Sequence, residues 1–201
     1  MIKILIRVLR ISDTNYVSQE DFERVITHIP DLKIRKWVDA DIGWLFRILR
    51  FSALRPGEAI KLRKEDFLFA SREIFLGKTK TKERGERAVI PTDFVQNLEM
   101  YIMTKKSGRI FPGLTYPTFY TWLKRLGQIC EIKAWTTPQS VSGEKTVGHI
   151  FRKSMPKDML DQKYGEKASQ LPVIQAFLRH QSIATTDKYI KQTQEAVKRA
   201  L

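Results

Sequence analysis

Four places in the chain hold side chains suited to a phosphodiester. The first is Leu54-Arg55-Pro56-Gly57-Glu58, an arginine at a turn ahead of a helix start. A guanidinium there offers a planar fork of donors to phosphate oxygens, and a carboxylate three residues on can orient it. The second is the polar run that starts at Gly77 and carries Lys78, Lys80, Lys82 and Arg84, with Arg87 just beyond. A basic hairpin of this kind can enter a nucleic-acid groove and bring an ammonium near a leaving oxygen. The third is His149-Ile150-Phe151-Arg152. Three apart on a helix, imidazole and guanidinium share a face, which suits proton transfer beside a bound phosphate. The fourth is Leu178-Arg179-His180-Gln181-Ser182-Ile183-Ala184-Thr185-Thr186-Asp187-Lys188-Tyr189. A tyrosine nucleophile needs a polarised electrophile with cations close by.

Each motif has an ordinary reading when taken alone. Arg55 and Glu58 fit an exposed ion pair at a helix start, and a charge run is most often a solvated loop. His149 fits a half-buried histidine, and a lone tyrosine is usually core or surface. The ordinary readings weaken because all four occur in one chain, in one order.

These residues need elements to position them. Ser18 reads as an N-cap, with Phe22, Val25, Ile26 and Ile29 on one helical face and Pro30 ending it. A second helix is expected after Asp41, carrying Ile42, Leu45, Phe46 and Leu49 and stopping near Ser52. Pro56 restarts a short helix through Leu62. Residues 67–69, 73–76 and 87–90 read as strands. Helices return with Thr92 as a cap and Phe94, Val95, Leu98, Tyr101 and Ile102 inward, and again from Pro117. Residues 134–148 read as a surface loop, and 149–160 as a helix kinked by Pro156. Pro172 opens a helix to Arg179, Ser182 or Thr185 caps the segment holding Tyr189, and 192–201 reads as a last short helix. The sum is an α+β fold, mainly helical, with a small antiparallel sheet. Residues 1–17 read as an N-terminal arm or linker and 18–201 as one domain.

Composition agrees with a polyanion partner. The chain has 201 residues, with 36 Lys and Arg against 22 Asp and Glu, a formal charge of +14. That excess favours nucleic acid. A single cysteine excludes a disulfide framework and any cysteine-rich zinc module. The apolar stretch near the start is broken by Lys3, Arg7 and Arg10, so it does not read as a signal peptide, and no run suits a membrane span. The expectation is a soluble, cytoplasmic protein.

The four motifs together resemble the catalytic domain of the tyrosine recombinases, the phage integrase family. Leu54, Arg55 and Glu58 match its Leu-Arg-x-x-Glu turn, Gly77-Lys78 its basic hairpin, and His149 and Arg152 its His-x-x-Arg. Leu178, His180, Ser182, Thr185, Thr186 and Tyr189 match its Leu-Gly-His-x-Ser-x-x-Thr-Thr-x-x-Tyr, the most specific of the four. The likeness spans about residues 18–201. Arg179 stands where the family usually has glycine, Lys153 where it often has histidine, and Pro156 interrupts the helix between. The family's N-terminal core-binding domain is expected to be absent. Only 54 residues precede Arg55, which fits a catalytic-domain fragment or a naturally short member.

The resemblance implies a site-specific recombinase or integrase of mobile DNA. Arg55 and Arg152 would grip the scissile phosphate and neutralise charge growing in the transition state. Tyr189 would attack to give a 3′-phosphotyrosine and Lys78 would protonate the leaving 5′-oxygen, with Lys80 or Lys82 as alternatives for that role. His149 would act as acid–base, His180 would hydrogen-bond the phosphate, and Glu58 would orient Arg55. No cofactor or metal is implied. Lys80, Lys82, Arg84, Arg87, Lys124, Arg125, Lys153 and Arg179 are expected DNA contacts. The expected partners are double-stranded DNA and further copies of the chain, four on two duplexes when active. A type IB topoisomerase shares the chemistry, although the Thr-Thr-x-x-Tyr spacing favours the recombinase. A truncated integrase that binds DNA without cutting is the alternative of a different class.

Overall fold

Ser18 caps the first helix. A computed structural model describes residues 16–77, 85–132 and 150–179, and in it the Ser18 hydroxyl accepts from the Asp21 N–H at 3.0 Å. Helix α1, Gln19–Thr27, follows, with Glu20 and Asp21 in its first turn where the positive helix end favours them. Its apolar face, Phe22 and Val25, enters the core, as the periodicity predicts. Pro30 does end the α-helix, but within a 3₁₀ turn over Ile29–Leu32 that buries both end residues.

Helix α2, Asp39–Phe51, begins three residues earlier than expected and stops at Ser52 as expected. Ile42, Gly43, Leu45, Phe46, Ile48, Leu49 and even Arg50 are buried, so its sides are covered almost all round. The chain then turns through Ala53, at a left-handed φ of 46°, into the single-turn helix α3, Pro56–Ala59. The predicted continuation through Leu62 does not form. There the backbone extends to pair with residues 108–110: Ile110 N–H donates to the Leu62 carbonyl at 2.9 Å and Lys64 N–H to that of Gly108 at 2.9 Å.

Strands β1 (Phe67–Leu68), β2 (Glu73–Phe75) and β3 (Arg87–Val89) form one antiparallel sheet in that order. The register pairs Phe67 with Ile74, and Ile74 with Ala88. These three side chains face the core, while Leu68, Phe75, Arg87 and Val89 face outward, the period-2 alternation of a one-sided sheet. β1 is shorter than predicted because Phe69–Ser71 coils into a 3₁₀ turn that ends at Arg72, φ 54°.

Helix α4, Thr92–Met103, is capped by Pro91, not Thr92. Thr92 is its first residue, and its hydroxyl accepts a bond from the Arg72 guanidinium. Helix α5, Tyr116–Ile129, starts one residue before Pro117, with the Thr115 hydroxyl as its cap. Helix α6, Ile150–Leu160, runs through Pro156 without ending there. Packing on both faces holds it: Ile150 and Phe151 enter the main core, while Met155 and Met159 join Ala53, Ile174 and Leu178 in a smaller one. Helix α7, Leu171–Leu178, closes that smaller core and ends at Arg179 in the left-handed conformation. The chain before α1 is anchored too: Val17 is buried, and its N–H donates to the Ser154 hydroxyl at 3.0 Å.

Helix α2 lies against α6, and the two are joined by a buried charge pair, Arg50 Nη2 to Asp158 Oδ2 at 2.5 Å. No helix among the described residues is long and apolar enough to cross a membrane.

Candidate active site

Arg55 is the N-cap of α3, held in extended backbone (φ −71°, ψ 145°) by Pro56 at the first helical position. Glu58, on the same turn, reaches back. One carboxylate oxygen accepts the Arg55 backbone N–H at 2.7 Å, and the other accepts Arg55 Nη1 at 2.6 Å. The pair thus fixes both the cap and the guanidinium. Arg55 keeps 43% of its side chain exposed, against 15% for Glu58, so the fork remains open to a ligand while the carboxylate is sheltered.

Arg152 is placed very differently. It projects from α6 and is 1% exposed. Nη1 donates to the Ala53 carbonyl at 2.7 Å, and Nη2 donates to the Leu178 carbonyl. One guanidinium therefore joins α6, the turn two residues before Arg55, and the end of α7 two residues before His180. Only arginine has the planar, multiply donating head for such a span.

Arg179 completes the set. Its side chain is 6% exposed, and Nη2 donates to Glu58 Oε2 at 2.9 Å, the same oxygen that holds the Arg55 N–H. Nε lies 3.5 Å from Glu86 Oε2. Glu86 sits at the base of the basic hairpin, where its N–H donates to the Gly77 carbonyl at 3.1 Å and its own carbonyl accepts from Leu76 at 2.8 Å. Burial pulls the Arg179 pKa below its ordinary value and nearby Arg55 adds to that, while Glu58 and Glu86 oppose it.

Described residues at or beside each of the four sequence motifs are thus tied together by two buried arginines. The Arg55 turn, the hairpin base, the Arg152 helix and the chain entering His180 meet at one place. A half-exposed guanidinium, poised by a carboxylate in a basic molecule, is an anion-binding arrangement.

That convergence is matched by kinship. The phage integrase family model fits residues 15–196. The chain belongs to the phage integrase family. Among solved structures, the catalytic domain of bacteriophage HP1 integrase superposes with a TM-score of 0.61 at 21% identity, over 91% of this chain and 93% of that one. XerH site-specific recombinase bound to palindromic difH substrate, in its post-cleavage complex, gives 0.64 at 17% identity, over 94% of this chain and 53% of that one. XerA recombinase gives 0.61 at 18%, over 87% and 59%. The chain thus spans little more than half of these two recombinases but nearly all of the isolated catalytic domain. No curated protein sequence matches it. The fold is that of tyrosine recombinase catalytic domains, mainly helical with a three-stranded antiparallel sheet.

Within this integrase fold the other expected site residues fall into three groups. Lys78, Lys80, Lys82, Arg84, His149, His180 and Tyr189 lie outside the described residues. Lys124 and Arg125 are exposed on α5, and no hydrogen bond or ion pair among the described residues ties them to Arg55. Arg87 is exposed on the outer sheet face, paired with Glu73 at 2.6 Å, and Lys153 is half-buried on α6. Arg179, expected on DNA, instead has its guanidinium turned inward, where two carboxylates, Glu58 and Glu86, offer it partners away from water. Glu86 was not among the expected residues. Its only sequence signal is an acid at the foot of a basic hairpin.

Proposed function

We propose that this chain is the catalytic unit of a site-specific DNA recombinase or integrase, working through a 3′-phosphotyrosine. The observation that carries the reading is the joining of the Arg55 turn, the hairpin base, the Arg152 helix and the approach to His180 by Arg152 and Arg179. Arg55 and Arg152 supply positive charge to the non-bridging oxygens of the scissile phosphate. That charge is preorganised by Glu58 and by fixed carbonyls, so little rearrangement is needed as the pentavalent state forms. The Tyr189 oxygen attacks phosphorus, and the bond to the 5′-oxygen breaks. Lys78 gives that oxygen a proton, His149 manages the proton at the nucleophile, and His180 donates to the phosphate. The phosphotyrosine conserves the bond energy, so a 5′-hydroxyl can reverse the step without a nucleotide. Double-stranded DNA is the substrate, and self-association on paired duplexes couples cleavage to exchange. Residues 18–201 act as the catalytic domain, with the segment before them as an arm.

The test is protein incubated with supercoiled plasmid and EDTA, quenched with detergent, beside Tyr189→Phe. Covalent protein–DNA and relaxed plasmid are expected, both lost in the variant. A nicked suicide duplex traps the adduct where religation hides it. DNA binding with no adduct on either substrate would overturn the reading in favour of a non-cutting DNA-binding protein.

A further inference from the structure

We propose that Arg179 is a positioning residue, which sets the phosphate-binding guanidinium of Arg55 through their shared carboxylate Glu58 and locks that unit to the base of the basic hairpin through Glu86. The proposal rests on the recombinase reading for what Arg55 grips, and on this structure for how it is held. Glu58 is the hinge of the argument. Its Oε1 takes Arg55 Nη1 at 2.6 Å, while its Oε2 takes both the Arg55 N–H at 2.7 Å and Arg179 Nη2 at 2.9 Å. A carboxylate held from both sides cannot swing, so the exposed fork opposite it has one preferred direction. Charge follows the same logic. Two guanidinia and two carboxylates alternate, Arg55–Glu58–Arg179–Glu86. Arg179 takes up part of the Glu58 charge, which leaves Arg55 with more of its own to offer an incoming phosphate.

The backbone shows what this arrangement costs. Arg179 caps α7 at φ 56°, ψ 36°, the left-handed region that glycine adopts freely and arginine does not. An arginine is retained there despite that strain, with its side chain almost wholly buried on two acids. Arg179→Gly therefore separates the two roles: it relaxes the backbone while removing the ionic link.

The experiment uses the full chain with Arg179→Met, Arg179→Lys, Arg179→Gly and Glu58→Gln, singly and with Glu58→Gln combined with Arg179→Met. Covalent adduct formation on saturating DNA is expected to slow about tenfold in Arg179→Met and Arg179→Gly, since small misplacement of a gripping group is costly. Arg179→Lys should recover part of that loss. The combined variant should be no slower than Glu58→Gln alone, because both changes break one unit. DNA affinity should stay within about twofold, since the Arg179 guanidinium is already paired with Glu58 and Glu86. Wild-type rates in Arg179→Met, or strictly additive losses, overturn the proposal. A second readout needs no catalysis: the Arg55 Nε–Hε NMR signal, assigned by its loss in Arg55→Lys, should shift or broaden in Arg179→Met. An unchanged signal overturns the proposal. If the unaltered protein forms no adduct, the recombinase reading fails, and the NMR comparison still decides whether Arg179 positions Arg55.

Discussion

Arg152 shows at the scale of one residue why its type matters. Its two donors reach the Ala53 and Leu178 carbonyls, far apart in sequence. A lysine keeps the charge but cannot fork to both. Arg152→Lys is expected to lower adduct formation at least 100-fold, and to destabilise the fold by about 1–3 kcal/mol, the cost of leaving a buried carbonyl unpaired. Single-turnover cleavage and urea melts check both. Glu65 offers a different residue-scale test. Its carboxylate accepts from the Ser107 hydroxyl and, at 2.8 Å, from the Gly108 N–H. Those bonds pull its pKa from 4.5 down to about 2, with Arg63 adding to them. A depressed carboxylate stabilises the fold above its unfolded value and loses that contribution as pH falls through the folded one. The stability gap between the native chain and Glu65→Gln is therefore expected in full at pH 6, shrinking between pH 4.5 and 2. Urea midpoints across that range measure it, and a gap independent of pH would refute the assignment.

Helices α2 and α6 carry the element-scale argument. Arg50 is 1% exposed and Asp158 9%, and they meet at 2.5 Å where the two helices pack. Asp158 also takes Lys163 at 2.6 Å, and the Arg50 head lies over the Phe22 and Phe51 rings. Removing one partner strands a buried charge. Asp158→Asn is expected to cost about 3–5 kcal/mol, whereas Arg50→Met with Asp158→Leu restores much of it. Chemical denaturation of the three proteins would settle this; a double variant as weak as the single one would contradict it. The same pair bears on the site, because α2 leads into the Arg55 turn and α6 carries Arg152.

The whole molecule is basic, at +14. Its affinity for DNA should depend steeply on salt, with log K falling about 0.9 per phosphate neutralised on each log step of salt. Six or more contacts predict a loss of roughly 10³–10⁵ between 50 and 200 mM salt. Anisotropy titrations with a labelled duplex would show it. A nearly flat response would mean that the excess charge is not aimed at DNA.

Much of this was legible in local chemistry. The Ser18 cap, the buried face of α1, the α2 stop at Ser52 and the three-strand hairpin series follow from caps, periods and turns, which act over a few residues. The motif set and the family likewise follow from residue types and order. Two features were decided only by tertiary contact. The end of α3 was set by pairing with residues 108–110, and the inward turn of Arg179 by Glu58 and Glu86. Glu86 and Glu58 lie 93 and 121 residues from Arg179 in the chain. No local pattern encodes such a meeting, because it exists only once burial removes water and leaves a guanidinium with acids as its partners.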